Sequence, residues 1–195
     1  GAASAYVAEF QRLNVVTNII FQSFDWNFLA QVHALAPNLR LCALGSGTTI
    51  DHVECYAIAD DGFEFFGGTV NTKYLVSAFN DDDAFDTDQG YRGKNQFWFA
   101  IQENVKRDNG GEWNGEPSNI AVSNAPYANF QVYNATWIGG GTVSGTATNS
   151  NNGLFIREYS APRMYNSVLT DFNPTGGTIG CRMDANSGKM LTNGL

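Results

Sequence analysis

The chain has 195 residues, a formal charge of −8, 43% hydrophobic residues and 13% aromatics, enough apolar side chain for one substantial core and too much for a disordered polymer. The acidic balance excludes nucleic acid and anionic membrane surfaces as partners, because phosphate binding needs a basic face. The 21 glycines, with many Asn, Thr and Asp, favour turns and short strands, so most of the chain reads as β.

Residues 1–45 differ from the rest. Ala5, Val7, Ala8, Phe10 and Leu13 fall close to helical spacing, and VVTNIIFQSF (15–24) is β-branched and aromatic, as in a buried strand. Asp25 can cap a second helix over 26–36, in which Phe28, Leu29, Val32 and Leu35 share one face. Pro37 and Asn38 stop it, and LRLCALG (39–45) is a second strand. Helix, strand, helix, strand calls for a parallel pair with a right-handed crossover: an incomplete α/β segment that needs neighbours, and whose first helix could cap the remainder of the chain.

The stretch NVVTNIIFQSFDWNFLAQVHALAPNLRLCALG (14–45) resembles the later part of the TIM barrel of glycerophosphodiester phosphodiesterases, in which a strand ending in QSF leads into a helix, a LAP-like stop and a short strand. The resemblance implies a remnant of an enzyme for metal-assisted hydrolysis of glycerophosphodiesters. That family's HRG motif, its paired Glu and Asp and its second His have no counterpart here. The histidines are His33 and His52, and Arg92 with Gly93 lacks the preceding His. No catalytic residue carries over.

After Gly45 the chain repeats. ADDGFEFFG (59–67), DDDAFDTDQ (81–89), RDNGGEWNG (107–115), SNNGLFIRE (150–158) and PTGGTIGCR (174–182) align without gaps. The third position is Asp61, Asp83, Asn109, Asn152 and Gly176; the fourth is Gly62, Ala84, Gly110, Gly153 and Gly177. The intervals are 22, 26, 43 and 24 residues, and the third, nearly two steps, implies a weaker unit between 115 and 150. A strand candidate precedes each unit: TIDHVECY, VNTKYLVS, NQFWFAIQ, NFQVYNATWI and PRMYNSVLT. Such a period, with Gly, Asn and Asp at the corners, fits a right-handed parallel β-helix over 46–195 and is too short for a propeller blade.

GSGTTIDHVECYAIADDGFEFFGGTVNTKYLV, NDDDAFDTDQGYRGKNQFWFAIQ and GLFIREYSAPRMYNSVLTDF resemble a family of secreted, surface-associated bacterial β-helix proteins, common in Bacteroidetes and marine bacteria. This resemblance spans 45–195. It implies an extracellular or cell-surface repeat module, often part of a larger polypeptide, and no particular activity. The two resemblances meet at LGSGT (44–48), which suggests that the chain joins two unrelated genes; one continuous read of the source locus decides this.

Stacked coils place equivalent residues about 4.8 Å apart. Asp60, Asp82 and Asp108 then form one column, Asp61, Asp83 and Asn109 a second, and Glu64, Asp86 and Glu112 a third. Bare carboxylates at that spacing repel by roughly 3 to 4 kcal/mol at an effective dielectric near 20 and by less than about 1 kcal/mol in water. The columns must therefore be solvated corners bonded to backbone, share protons, or hold a cation. Calcium is the cation that suits carboxylates, with Asp60, Asp61, Asp82, Asp83, Asp86 and Asp88 as its candidate ligands. An acidic groove also suits a polysaccharide hydrolase or lyase, with Arg92 or Lys94 as the nearest basic group and Trp113 either a sugar platform or core.

Other singletons carry less. His52 reads as an outward hydrogen-bonding residue, the Asn134-Ala135-Thr136 triplet falls inside a strand, and Ser23 has no triad partners in view. The three cysteines, Cys42, Cys55 and Cys181, have no metal-site spacing and read as buried thiols. No apolar run reaches the roughly 20 residues of a membrane span, and the first residues lack the basic start and apolar block of a signal peptide. The leading functional expectation is a non-catalytic secreted or cell-surface scaffold or adhesin, calcium-stabilised, with polysaccharide or cell-surface components as partners. The alternatives are a polysaccharide-active β-helix enzyme and the phosphodiesterase remnant.

Overall fold

A parallel pair and a parallel stack account for every strand among the described residues. The computed structural model describes residues 1–16, 20–23, 26–43, 49–115, 127–141, 152–172 and 180–192. They belong to two compact units, Gly1–Ser46 and Gly47–Leu195.

In the first unit, α1 (Ala2–Arg12) buries Ala3 and Val7. It ends where Asn14 turns to a φ of 53°, a left-handed conformation that Asn tolerates and a helix cannot continue. The strand expected from residue 15 begins later, as β1 (Ile20–Ser23), because Val15 is still tied back to Phe10 by a 3.1 Å backbone bond. Next come α2 (Trp26–Leu35) and β2 (Arg40–Ala43). β1 and β2 pair in parallel, Ile20 with Arg40 and Ser23 with Ala43. Ala3, Val7, Val32, Ala36 and Leu39 form the core, with Phe10, Phe21 and Phe28 against it. Asp25 lies outside the described residues, as does LGSGT, and nothing is described of the side chains of Ser23 and Cys42.

The second unit is a parallel β-helix. Its strands are β3 (Thr49–Tyr56), β4 (Phe63–Phe66), β5 (Asn71–Ala78), β6 (Phe85–Asp88), β7 (Lys94–Ile101), β8 (Gly111–Asn114), β9 (Gln131–Tyr133), β10 (Thr136–Ile138), β11 (Leu154–Arg157), β12 (Arg163–Tyr165), β13 (Val168–Thr170) and β14 (Cys181–Met183), followed by α3 (Ala185–Thr192). One face stacks β4, β6, β8, β11 and β14 in chain order. The other stacks β3, β5 and β7, then β9 beside the first half of β7 and β10 beside its second half, and finally β12 and β13 in the same way.

β9 and β10 show what the longer strands conceal. At equivalent places His52, Tyr74, Phe97, Asn134 and Asn166 have φ of 53°, 56°, 58°, 57° and 47°, a left-handed bend shared by every coil. A side chain there costs about 1–2 kcal/mol. The cost is met sideways: neighbouring coils bend together and keep their hydrogen bonds, and the rings of Tyr74 and Phe97 stack at 5.0 Å and 8°. His52 lies 4.6 Å from Tyr74 in the same column.

Large rings fill the interior. Phe85 stacks on Phe63 at 5.4 Å, on Trp98 at 4.3 Å and on Trp137 at 5.6 Å. In the next coil the Phe63–Phe85 column continues as Gly111, where a Cβ would lie 3.0 Å from the Trp137 ring; the glycine makes room for that indole. Inside, Trp98 Nε1 donates to Thr72 Oγ1 at 2.6 Å, and Thr72 Oγ1 and Tyr91 Oη each donate to Asn95 Oδ1 at 2.7 Å. A buried polar chain of this kind, which leaves Asn95 Nδ2 without a partner, favours one register in an otherwise apolar stack.

Two sequence expectations are corrected by the pairing. β8 pairs directly with β11, Glu112 opposite Phe155, so the interval of 43 is one coil and NAPYANFQVYNATWIG supplies its strands β9 and β10 rather than a weaker unit. The last unit is also out of register. Leu154 faces Cys181, and Gly180 O receives the Leu154 N–H at 3.0 Å, as Gly110 O receives that of Phe85. Gly180 is thus the corner glycine; Gly176 and Gly177 lie outside the described residues. No described helix is long and apolar enough to cross a membrane.

Candidate functional site

On the β4–β6–β8–β11–β14 face the turns before β4, β6, β8 and β11 each direct one Asp or Asn along the stack. Asp83 N–H donates to Asp61 Oδ1 at 3.0 Å. Asn109 gives Asp83 Oδ1 its backbone N–H at 2.6 Å and its Nδ2 at 2.9 Å. Asn152 gives Asn109 Oδ1 its N–H at 3.1 Å and its Nδ2 at 2.7 Å. The second predicted column is therefore a continuous ladder in which a side-chain oxygen of one coil caps the backbone of the next. It is not solvated: Asp83, Asn109 and Asn152 are buried, because the corner turns these side chains along the solenoid axis and the next coil covers them.

The third column is also in register, Glu64 beside Asp86 beside Glu112. It runs from half-buried Glu64 to Asp86, only 8% exposed. Asp86 Oδ1 is buried without a hydrogen-bond partner. Glu112 accepts from Arg157 Nη1 at 2.7 Å, and Arg157 also reaches Glu158 at 3.3 Å. In the first column, Asp60, Asp82 and Asp108 are partly exposed.

Three groups of carboxylates bring one oxygen each to within 4.8 Å of one another: Asp60, Asp61 and Asp82; Asp61, Glu64 and Asp86; and Asp82, Asp83 and Asp108. Five of the six proposed calcium ligands fall in these groups. Asp88 falls in none of them, since it ends β6 beyond the turn where the others converge. Glu64 and Asp108, absent from the proposed ligand set, complete two of them.

Burial, and after it the crowding of like charges, raises the carboxyl pKa values. Burial, then Glu64 and the nearby aspartates, pushes Asp61 up to about 8. Burial with Asp88 and Asp60 lifts Glu64 to about 7, and burial with Asp61 and Asp83 lifts Asp86 to about 10. Asp83 is raised well above the carboxylate range by burial, then Asp108 and Asp61. Glu112 is raised as well, since burial outweighs Arg157. Without a counter-ion, this face holds protons that isolated carboxylates would release.

The other candidates separate from this face. Trp113 is fully buried, edge-on to Phe130 and Trp137, which makes it core and removes it as a sugar platform. Arg92 and Lys94 are exposed and form no ion pair among the described residues. The guanidinium that reaches the acidic column is Arg157, which occupies in SNNGLFIRE the place of Asp88 and Asn114 and was legible in the ungapped alignment. His52 is exposed, Nδ1 3.1 Å from Asp51 Oδ1. Cys55 is half-buried and Cys181 exposed, so the expectation of buried thiols fails for Cys181.

Parallel strands in stacked coils, with an acidic face built on one sheet, define a β-helix solenoid. The family model described as a pectate-lyase-like β-helix domain matches residues 33–193, and the chain belongs to that family. No curated protein and no solved structure matches it.

Proposed function

We propose that this chain is a non-catalytic β-helix module of a secreted or cell-surface protein, a scaffold or adhesin that contacts polysaccharide or other cell-surface components and is stabilised by calcium. The observation that carries the reading is the ladder from Asp61 through Asp83 and Asn109 to Asn152. Its carboxylates and amides are spent on joining coils, which is work for a scaffold. The crowding of the remaining carboxylates points the same way. Three carboxylates that each bring one oxygen to within 4.8 Å of the others offer the several oxygen donors a hard cation takes. Membership of the β-helix family supports polysaccharide as the partner class.

One observation favours a second reading, a polysaccharide hydrolase or lyase. Glu64 near 7 and Asp61 near 8, side by side, resemble a tuned acid and base. A single experiment separates the two: the full chain is incubated with neutral and acidic polysaccharides, with and without calcium, and followed for new reducing ends, unsaturated products and co-sedimentation. The scaffold predicts co-sedimentation without product. Product formation that Glu64→Gln abolishes overturns it in favour of the enzyme.

A further inference from the structure

The acidic face holds more carboxylate than its described hydrogen bonds consume, and one of its three converging groups centres on a buried Asp86. The Oδ1 atoms of Asp61 and Asp83 take the N–H groups of the next coil, Glu112 is held by Arg157, and Asp81 by Lys106. Asp86 differs. Its side chain is over nine-tenths buried, its Oδ1 has no partner, and it converges with oxygens of Asp61 and Glu64. A buried carboxylate oxygen with nothing to accept from is among the more costly features a fold can carry. Of the three carboxylate groups among the described residues, only this one contains a buried, unpartnered oxygen.

We propose that Asp61, Glu64 and Asp86 bind a single Ca2+ ion that pins the first coil of the solenoid to the second. The inference rests on the calcium-stabilised reading above and fixes its site. All three donors are hard carboxylate oxygens, with no nitrogen or sulfur in the group, which selects a hard cation over zinc or copper. Ca2+ binds oxygen at about 2.3–2.6 Å, so opposed ligands stand up to about 5 Å apart; oxygens within 4.8 Å fit that sphere. Mg2+ demands a near-ideal octahedron and gives up its waters reluctantly, so a cluster of three carboxylates on a turn and two strands suits the more adaptable Ca2+ sphere. Half-buried Glu64 leaves the outer side of the ion to water. Asp61 and Glu64 belong to the turn and strand of the first coil and Asp86 to the strand of the second, already in register with Glu64. The ion adds a further link between two coils that Asp61 and Asn80 already join through side-chain hydrogen bonds.

The test uses the full chain, stripped with a chelator and titrated with CaCl2 or MgCl2 by calorimetry and thermal melting. One Ca2+ per chain is expected, with a rise in Tm of about 5–10 °C at a hundredfold excess over Kd and a smaller rise with Mg2+. Asp86→Asn keeps the shape of the side chain. In chelator it should melt no lower than the parent, because a neutral amide relieves the crowding, yet it should lose tight calcium binding and the calcium-dependent rise. Glu64→Gln, at a partly exposed position, should weaken binding at least tenfold. Absence of calcium binding overturns the proposal. So do several weak ions that do not distinguish Ca2+ from Mg2+, or a calcium response unchanged in both variants. Each of these outcomes leaves the polysaccharide assay of the scaffold free to succeed or fail alone.

Discussion

Asp83→Asn tests whether the buried ladder is built for amides. In the two rungs above, Asn109 Nδ2 donates to Asp83 Oδ1 at 2.9 Å and Asn152 Nδ2 to Asn109 Oδ1 at 2.7 Å. An amide at position 83 can repeat the pattern toward Asp61 Oδ1, which now receives only the Asp83 backbone N–H at 3.0 Å among the described contacts. The added hydrogen bond contributes about 0.5–1.5 kcal/mol, and repulsion from Asp108, Asp61 and Glu112 disappears. A net gain of about 2 kcal/mol raises Tm by about 4–8 °C for a chain of this size.

The pH dependence gives the sharper test. Asp83 has a higher pKa folded than unfolded, so the stability it lends is intact below the unfolded value of about 3.9 and drains away as pH rises toward the folded value. Asp61 near 8, Glu64 near 7 and Asp86 near 10 act in the same direction. In chelator the parent Tm should fall from pH 5 to pH 8, and the advantage of Asp83→Asn should be larger at pH 8. Differential scanning calorimetry of the full chain at both pH values measures this. A variant that melts below its parent at pH 8, or whose advantage is the same at both, refutes the reasoning.

The other expectations concern the ladder amide, the ring stack and the thiols. Asn109→Ala strips Asn152 of the acceptor for two donors and Asp83 of one partner; at about 1–3 kcal/mol per buried orphan, urea unfolding should show a loss of about 3–5 kcal/mol, and a loss below about 1 kcal/mol contradicts the ladder. Trp98→Ala removes a fully buried ring stacked on Phe85 and bonded to Thr72, a loss of about 3–5 kcal/mol by the same measurement; a near-neutral result places the indole elsewhere. Cys55 is pushed up to about 12 by burial and Glu54, whereas Cys181 lies on exposed β14. Iodoacetamide on the native chain, mapped by mass spectrometry, should alkylate Cys181 before Cys55, and equal rates at these two contradict this.

The legible part of the fold came from its period. TIDHVECY, VNTKYLVS and NQFWFAIQ became β3, β5 and β7 within a residue or so, because alternating apolar residues and small corner residues carry both the strand and its repeat. The last unit slipped because PTGGTIGCR offers three glycines, and only the hydrogen bond of Leu154 to Gly180 decides which one turns the corner. Burial of the acids was not legible. An Asp at a corner can face water or the solenoid axis, and the choice depends on where the next coil's N–H points, a property of backbone geometry. Sequence register did place Glu64, Asp86 and Glu112 in one column. It did not reveal that Glu64 belongs with Asp61 and Asp86, since that meeting joins a turn to a strand, nor that Asp88 stands outside.

A crystal structure of the full chain grown in calcium, with anomalous data collected to locate the ion, tests the account most directly. One calcium peak bounded by Asp61, Glu64 and Asp86, with the Asp61–Asp83–Asn109–Asn152 ladder intact beside it, is the predicted result. No peak there, or a peak held by Asp82, Asp83 and Asp108 with the ladder broken to reach it, contradicts the claim that the aspartates of this face build the solenoid and leave one site for an ion.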